Sequence, residues 1–147
     1  MRVYFAGSIT GGRDFEKYQQ VIVNFLKLKG HVILTEHVSD NKLQREVRAK
    51  ARGSNNYYRF ISVHDRLRMN KAQLLVAECS QASLGVGFEI CYATYVLKIP
   101  VIALCHVKVK KKISPIIFGD TSKLIKPYFY NDKNIEEILE NALKFKG

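Results

Sequence analysis

The stretch with the strongest chemical character is Ser83-Leu84-Gly85-Val86-Gly87-Phe88-Glu89-Ile90, where small residues lead into a carboxylate inside an apolar run. If a helix begins at Leu84, Gly85 and Glu89 are four residues apart and share one face. A position without a side chain then sits one turn above a carboxylate, which leaves room for a ring to rest there. Glu89 is read as the reactive group. The alternative, a surface carboxylate, fits poorly with the apolar neighbours on both sides. Ser83 is placed to cap the helix with its hydroxyl, a role compatible with binding a phosphate or a sugar hydroxyl.

A reactive Glu89 needs a phosphate cradle, a second acidic group and a lid from elsewhere in the chain. Gly7-Ser8-Ile9-Thr10-Gly11-Gly12-Arg13 lies between an apolar run and a helix-like segment. Glycines let backbone N–H groups approach a phosphate, and a helix N-terminus favours negative charge. The turn matches neither GxGxxG nor the Walker pattern, so taken alone it reads better as a plain tight turn. His37 follows the second apolar run and could meet a ribose or phosphate, or be structural; His31, His64 and His106 read as structural. Asp65, in His64-Asp65-Arg66, reads from its surroundings as a salt bridge with a neighbouring arginine.

The elements that must position these groups follow from periodicity. The chain has 147 residues with 47% hydrophobic content, which suits one compact domain over 1–147. Val3–Ala6 predicts a first strand. Asp14 is placed to cap a helix carrying Phe15, Tyr18, Ile22, Phe25 and Leu26, stopped by Gly30. Further strands are expected at His31–Thr35, Leu74–Cys79, Ile99–Leu104 and Ile125–Tyr130. Helices are expected at Tyr58–Ala72, Leu84–Leu97, Ser114–Phe118 and Ile135–Phe145, with a surface turn at Lys108–Lys112. Residues 39–57 are polar and basic and read as a partly helical excursion over the site. The sum is a single doubly wound (flavodoxin/Rossmann-like) α/β domain with about five parallel strands.

Composition narrows the partners. No apolar run reaches the roughly eighteen residues of a membrane span. The three cysteines have no CxxC spacing, which points to a reducing compartment, cytoplasmic or nuclear, and to neither disulfides nor zinc. The net charge of +11 attracts small phosphorylated anions, and nucleic acid on charge alone. A second stripe on the Leu84–Leu97 helix, Phe88, Tyr92 and Tyr95, is either covered by loops or a subunit interface.

Taken together, Tyr4–Arg13, Leu34–Val38 and Val76–Glu89 resemble the 2′-deoxynucleoside 5′-monophosphate N-glycosidases of the nucleoside 2-deoxyribosyltransferase superfamily. The resemblance runs in order from Met1 to about Gly119, and Ser-Leu-Gly-Val-Gly-aromatic-Glu is its most specific part. It implies a homodimer that cleaves the bond between base and deoxyribose 5-phosphate without a metal or organic cofactor. Glu89 would be the nucleophile and Asp65 the second carboxylate, assisting at the glycosidic centre and the leaving base. Tyr4, Gly7, Ser8, Ile9, Thr10, Gly11, Gly12, Arg13, His37, Ser83 and Gly85 would line the nucleotide pocket. Ser114 would be offered to the 5′-phosphate by the neighbouring subunit. Thr10 stands where close members have arginine, Gln73 where aspartate is usual, and Arg68 where an aromatic is frequent.

The expected reaction is hydrolysis of a (deoxy)nucleoside 5′-monophosphate through a covalent Glu89 intermediate. The alternatives are deoxyribosyl transfer to a second base, hydrolysis of a ribonucleotide of the CMP type, and a nucleotide- or nucleic-acid-binding module without catalysis.

Overall fold

A computed structural model describes residues 1–9, 14–35 and 55–147. The expected excursion at 39–57 lies almost wholly outside them. Five strands form one parallel sheet: β1 (Arg2–Gly7), β2 (Val32–Ile33), β3 (Leu74–Glu78), β4 (Val101–His106) and β5 (Ile125–Tyr130). Their order is β2-β1-β3-β4-β5. The chain reverses direction across the sheet between β1 and β3, so a crevice opens above the carboxyl ends of those two strands.

The strands are apolar on both faces because both are covered, as a parallel sheet requires. On one side Val3, Phe5, Val76, Ile102 and Leu104 pack with Ile22 and Leu26 of α1 (Glu16–Leu28) and Leu139 of a C-terminal helix, Ile135–Ala142. On the other, Tyr4, Ala6, Leu75, Ala77 and Ala103 pack with Met69, which ends α2 (Asn55–Met69), and with Val86 and Ile90 of α3 (Leu84–Cys91). The alternation of Phe5 against Tyr4 and of Val76 against Ala77 decides which layer each reaches.

Several expectations shift. Asp14 does not cap α1: Phe15 occupies that position, with no side-chain cap bond. The second strand shrinks to Val32–Ile33 because Thr35 replaces the ladder with its side chain. Its Oγ1 accepts from Phe5 N (2.9 Å) and donates to Phe5 O (2.7 Å). α2 starts and ends three residues earlier than expected, at Asn55 and Met69. α3 widens into a π-helical segment, Tyr92–Leu97. There Thr94 Oγ1 donates back to Ile90 O (2.8 Å), and Lys98, with φ of 55°, stops the helix in the left-handed region. The surface turn before Ile113 is a 3₁₀ segment, Val107–Lys112. Gly30 ends α1 as expected, with φ of 78°.

Candidate active site

Glu89 and Asp65 face one cavity of about 480 Å³ between α2 and α3. On α2 its wall is made by Tyr58, Ser62, Asp65 and Met69, spaced as one face of a helix. α3 contributes Gly85, Phe88 and Glu89. The expected room above the carboxylate is there, since a Cβ on Gly85 would meet nothing nearer than Ser83 Oγ at 3.7 Å. Replacing Gly85 by alanine should therefore leave the fold intact or raise its stability by at most about 1 kcal/mol, since alanine is the better helix former. If a ring rests there, the same change should raise KM for the substrate about tenfold or more. A wild-type KM in Gly85→Ala would remove the ring from that position.

Tyr4 reaches Glu89 from β1 and donates its hydroxyl hydrogen to Oε1 at 2.7 Å. Burial pushes the Glu89 carboxyl up to about 7; the Tyr4 hydrogen bond pulls the other way, and the negative charge of Asp65 adds to the rise. Desolvation thus outweighs the bond that favours the carboxylate. The Tyr4 hydroxyl is itself held far above its ordinary range, first by burial and then by the charges of Glu89 and Asp65, with Arg68 acting in the opposite sense. Tyr4 therefore stays a donor. Asp65 Oδ1 accepts from Arg68 Nη1 at 3.1 Å, so the salt bridge expected from sequence exists, with an arginine one turn on, and it stands beside the cavity.

A second groove, about 750 Å³, runs along the start of α3 and is walled by Ser80, Ser83, Lys112 and Ser114. Ser83 caps α3 by accepting from Val86 N at 3.4 Å. Ser114 precedes α4 (Pro115–Phe118) without a side-chain cap bond, and it shares this groove with Ser83 of its own chain.

The first turn is only partly on view, because Thr10, Gly11, Gly12, Arg13 and His37 lie outside the described residues. Gly7 packs closely, and a Cβ there would come within 2.9 Å of the Gln19 side chain, which would have to shift. Gln19 Nε2 in turn donates to Ser8 O at 3.1 Å. Ser8 is buried, and among the described residues its hydroxyl has no hydrogen-bond partner. Ile9 is half-buried beside it. Among the described residues no group of three or more His, Cys, Asp and Glu could hold a metal ion.

Sequence reasoning passed over Glu78. This buried carboxylate ends β3, and its Oε1 accepts from Ser80 N (3.1 Å), Ser80 Oγ and Tyr130 OH (3.0 Å). Ser80 Oγ also accepts from His106 N at 2.7 Å, which ties β3, β4 and β5 together. Burial raises the Glu78 carboxyl, and the Ser80 and Tyr130 bonds lower it. The available signal was a single charge closing an otherwise apolar strand at the sheet edge where ligands bind.

Comparison with known proteins places this arrangement. The CMP N-glycosidase of Clostridium botulinum superposes with a TM-score of 0.60 at 19% identity, covering 98% of this chain and 99% of that one. A 2-deoxyribosyltransferase from Bacillus psychrosaccharolyticus gives 0.62 at 16% identity, covering 91% and 88%. The fold is that of the deoxyribosyltransferase-like α/β proteins. In sequence, the 5-hydroxymethyl-dUMP N-hydrolase of Danio rerio is 35% identical over 143 residues, 95% of this chain and 94% of its own length. That of Mus musculus is 35% identical over 139 residues, 93% of this chain and 76% of its own. A protein of Thermofilum pendens named for 2′-deoxynucleoside 5′-phosphate N-hydrolase activity is 34% identical over 140 residues, 95% of this chain and 91% of its own. No family model matches. The chain belongs to the 2′-deoxynucleoside 5′-phosphate N-hydrolase family, a group of hydrolases acting on N-glycosyl compounds.

Proposed function

We propose that the protein hydrolyses the N-glycosidic bond of a (2′-deoxy)nucleoside 5′-monophosphate, with Glu89 as nucleophile and Asp65 as its partner. The observation that carries this is the half-buried Glu89, held by Tyr4 and lining a cavity that Asp65 also lines. The Glu89 carboxylate attacks C1′; the C1′–N bond breaks, and its electron pair leaves with the base, which takes a proton from solvent as it departs. Asp65 stabilises the positive charge that builds on the sugar ring. It then takes a proton from the water that attacks C1′, and the bond from C1′ to Glu89 breaks to restore the carboxylate. The proton on Asp65 returns to solvent. The balance is nucleotide plus water giving free base and (deoxy)ribose 5-phosphate.

The groove walled by Ser83, Lys112 and Ser114 suits the 5′-phosphate, since hydroxyls, a cation and the start of a helix all favour an anion. Phe88 and Tyr95 are about half exposed and Leu84 almost fully exposed; we read this face as the contact of a homodimer, within which Ser114 could also serve the neighbouring site. A monomer in sedimentation at micromolar concentration would remove that reading. The direct test of function is incubation with a panel of ribo- and deoxyribonucleoside monophosphates, followed by separation of free bases. Base release is expected from at least one of them. Release only when an acceptor base is added, with formation of a new nucleoside, would make the protein a transferase. Tight, salt-dependent binding with no release would make it a binding module.

A further inference from the structure

Arg68 has no role in what precedes, yet it is bonded to one of the two carboxylates. The cavity wall includes Asp65 and Arg66 on α2 but not Arg68. Arg68 meets Asp65 at 3.1 Å, with both side chains partly shielded from solvent at 38% and 24% exposure. Its charge also reaches the Tyr4 hydroxyl, where it offsets part of the negative potential of Glu89 and Asp65. Two carboxylates near one another tend to share a proton, which leaves one of them unable to act as an ion. Among the described residues, the groups around Glu89 are Tyr4 from β1 and Tyr57, Tyr58, Asp65 and Arg66 from α2, while α3 adds no other charge.

We propose that Arg68 is a positioning residue of the reaction: its guanidinium fixes the Asp65 carboxylate at the cavity wall and sets a positive charge against the carboxylate pair, so that Glu89 and Asp65 act as two separate ions. The inference rests on the reading of Glu89 and Asp65 as the reacting pair. An i, i+3 ion pair at a surface would be worth little. This one is set apart by its acceptor, Asp65, which lines the cavity that Glu89 also lines.

The test uses Arg68→Met, Arg68→Lys, Asp65→Asn and the Asp65→Asn/Arg68→Met double variant, each checked for a wild-type circular dichroism spectrum. The titration of Glu89 is followed by carbon NMR of ¹³C-carboxyl glutamate, with the Glu89→Gln spectrum assigning the signal. In Arg68→Met the Glu89 midpoint should rise by about one pH unit. The value of kcat should fall by about tenfold to a hundredfold, with KM changed by less than about twofold. Lysine should restore the midpoint, because it restores the charge, and only part of kcat, because it lacks the planar fork. In the Asp65→Asn background, Arg68→Met should cost no further turnover. An unmoved midpoint in Arg68→Met overturns the inference, as does an equal loss of turnover in both backgrounds. Failure of the underlying reaction shows separately, as no base release by the wild type, while the titration still decides the charge effect.

Discussion

Glu89→Gln is expected to abolish base release and, above about pH 7, to make the protein harder to unfold. The first effect follows from removing the nucleophile, for which losses of about three orders of magnitude or more are usual. The second follows from where the carboxyl titrates. Its folded value is about 7, raised by burial from 4.5. A carboxyl raised on folding contributes fully below its unfolded value, and that contribution is lost as pH rises through the folded one. Above about pH 7 the ionised Glu89 therefore costs the native state up to about 3 kcal/mol. Glutamine carries no charge and keeps an oxygen to accept from Tyr4. Calorimetric melts of the two proteins should nearly coincide at pH 4 and separate at pH 8, with the variant higher. Wild-type turnover in Glu89→Gln would remove the nucleophile assignment. A melting difference independent of pH would show that burial does not govern this carboxyl.

Asp65→Asn should cut kcat by about a hundredfold or more while leaving KM within a few-fold, because the proposed charge stabilisation is made at the transition state. Asparagine keeps the size and one acceptor oxygen for Arg68, so melting should change by less than the activity suggests. The measurement is the initial rate of base release under saturating nucleotide. A near-normal rate would return Asp65 to the role its sequence neighbourhood first suggested, a salt bridge and nothing more.

The sheet was largely legible in the sequence because parallel strands covered on both faces leave plain apolar runs such as Leu74–Ala77 and Val101–Leu104. Their ends were less legible. Thr35 closes the second strand by a side-chain bond to β1, and no local pattern encodes a partner thirty residues away. In the site, Gly85 and Glu89 were visible together because one helix carries both. The hydrogen bond from Tyr4 to Glu89 spans 85 positions, so the family resemblance, and no local pattern, placed Tyr4 at the pocket. At Glu89 the Tyr4 hydroxyl favours the ionised form, Asp65 opposes it, and burial wins. Glu78 went unread because Tyr130 and Ser80, which make its burial tolerable, come from different strands and turns.

The knot formed by Glu78, Ser80, Tyr130 and His106 divides the crevice into two banks of unequal freedom. It fastens the carboxyl ends of β3, β4 and β5 to one another, and with them the turn that leads to Ser83. The opposite bank is α2, with Tyr58, Phe60 and Leu67 more than half exposed and Met69 fully enclosed. Descendants of such a protein can change what the cavity admits by drifting along Tyr58 and Ser62, without disturbing the rim that leads to the helix carrying Glu89. On that bank only Asp65, with Arg68 behind it, is tied to bond cleavage.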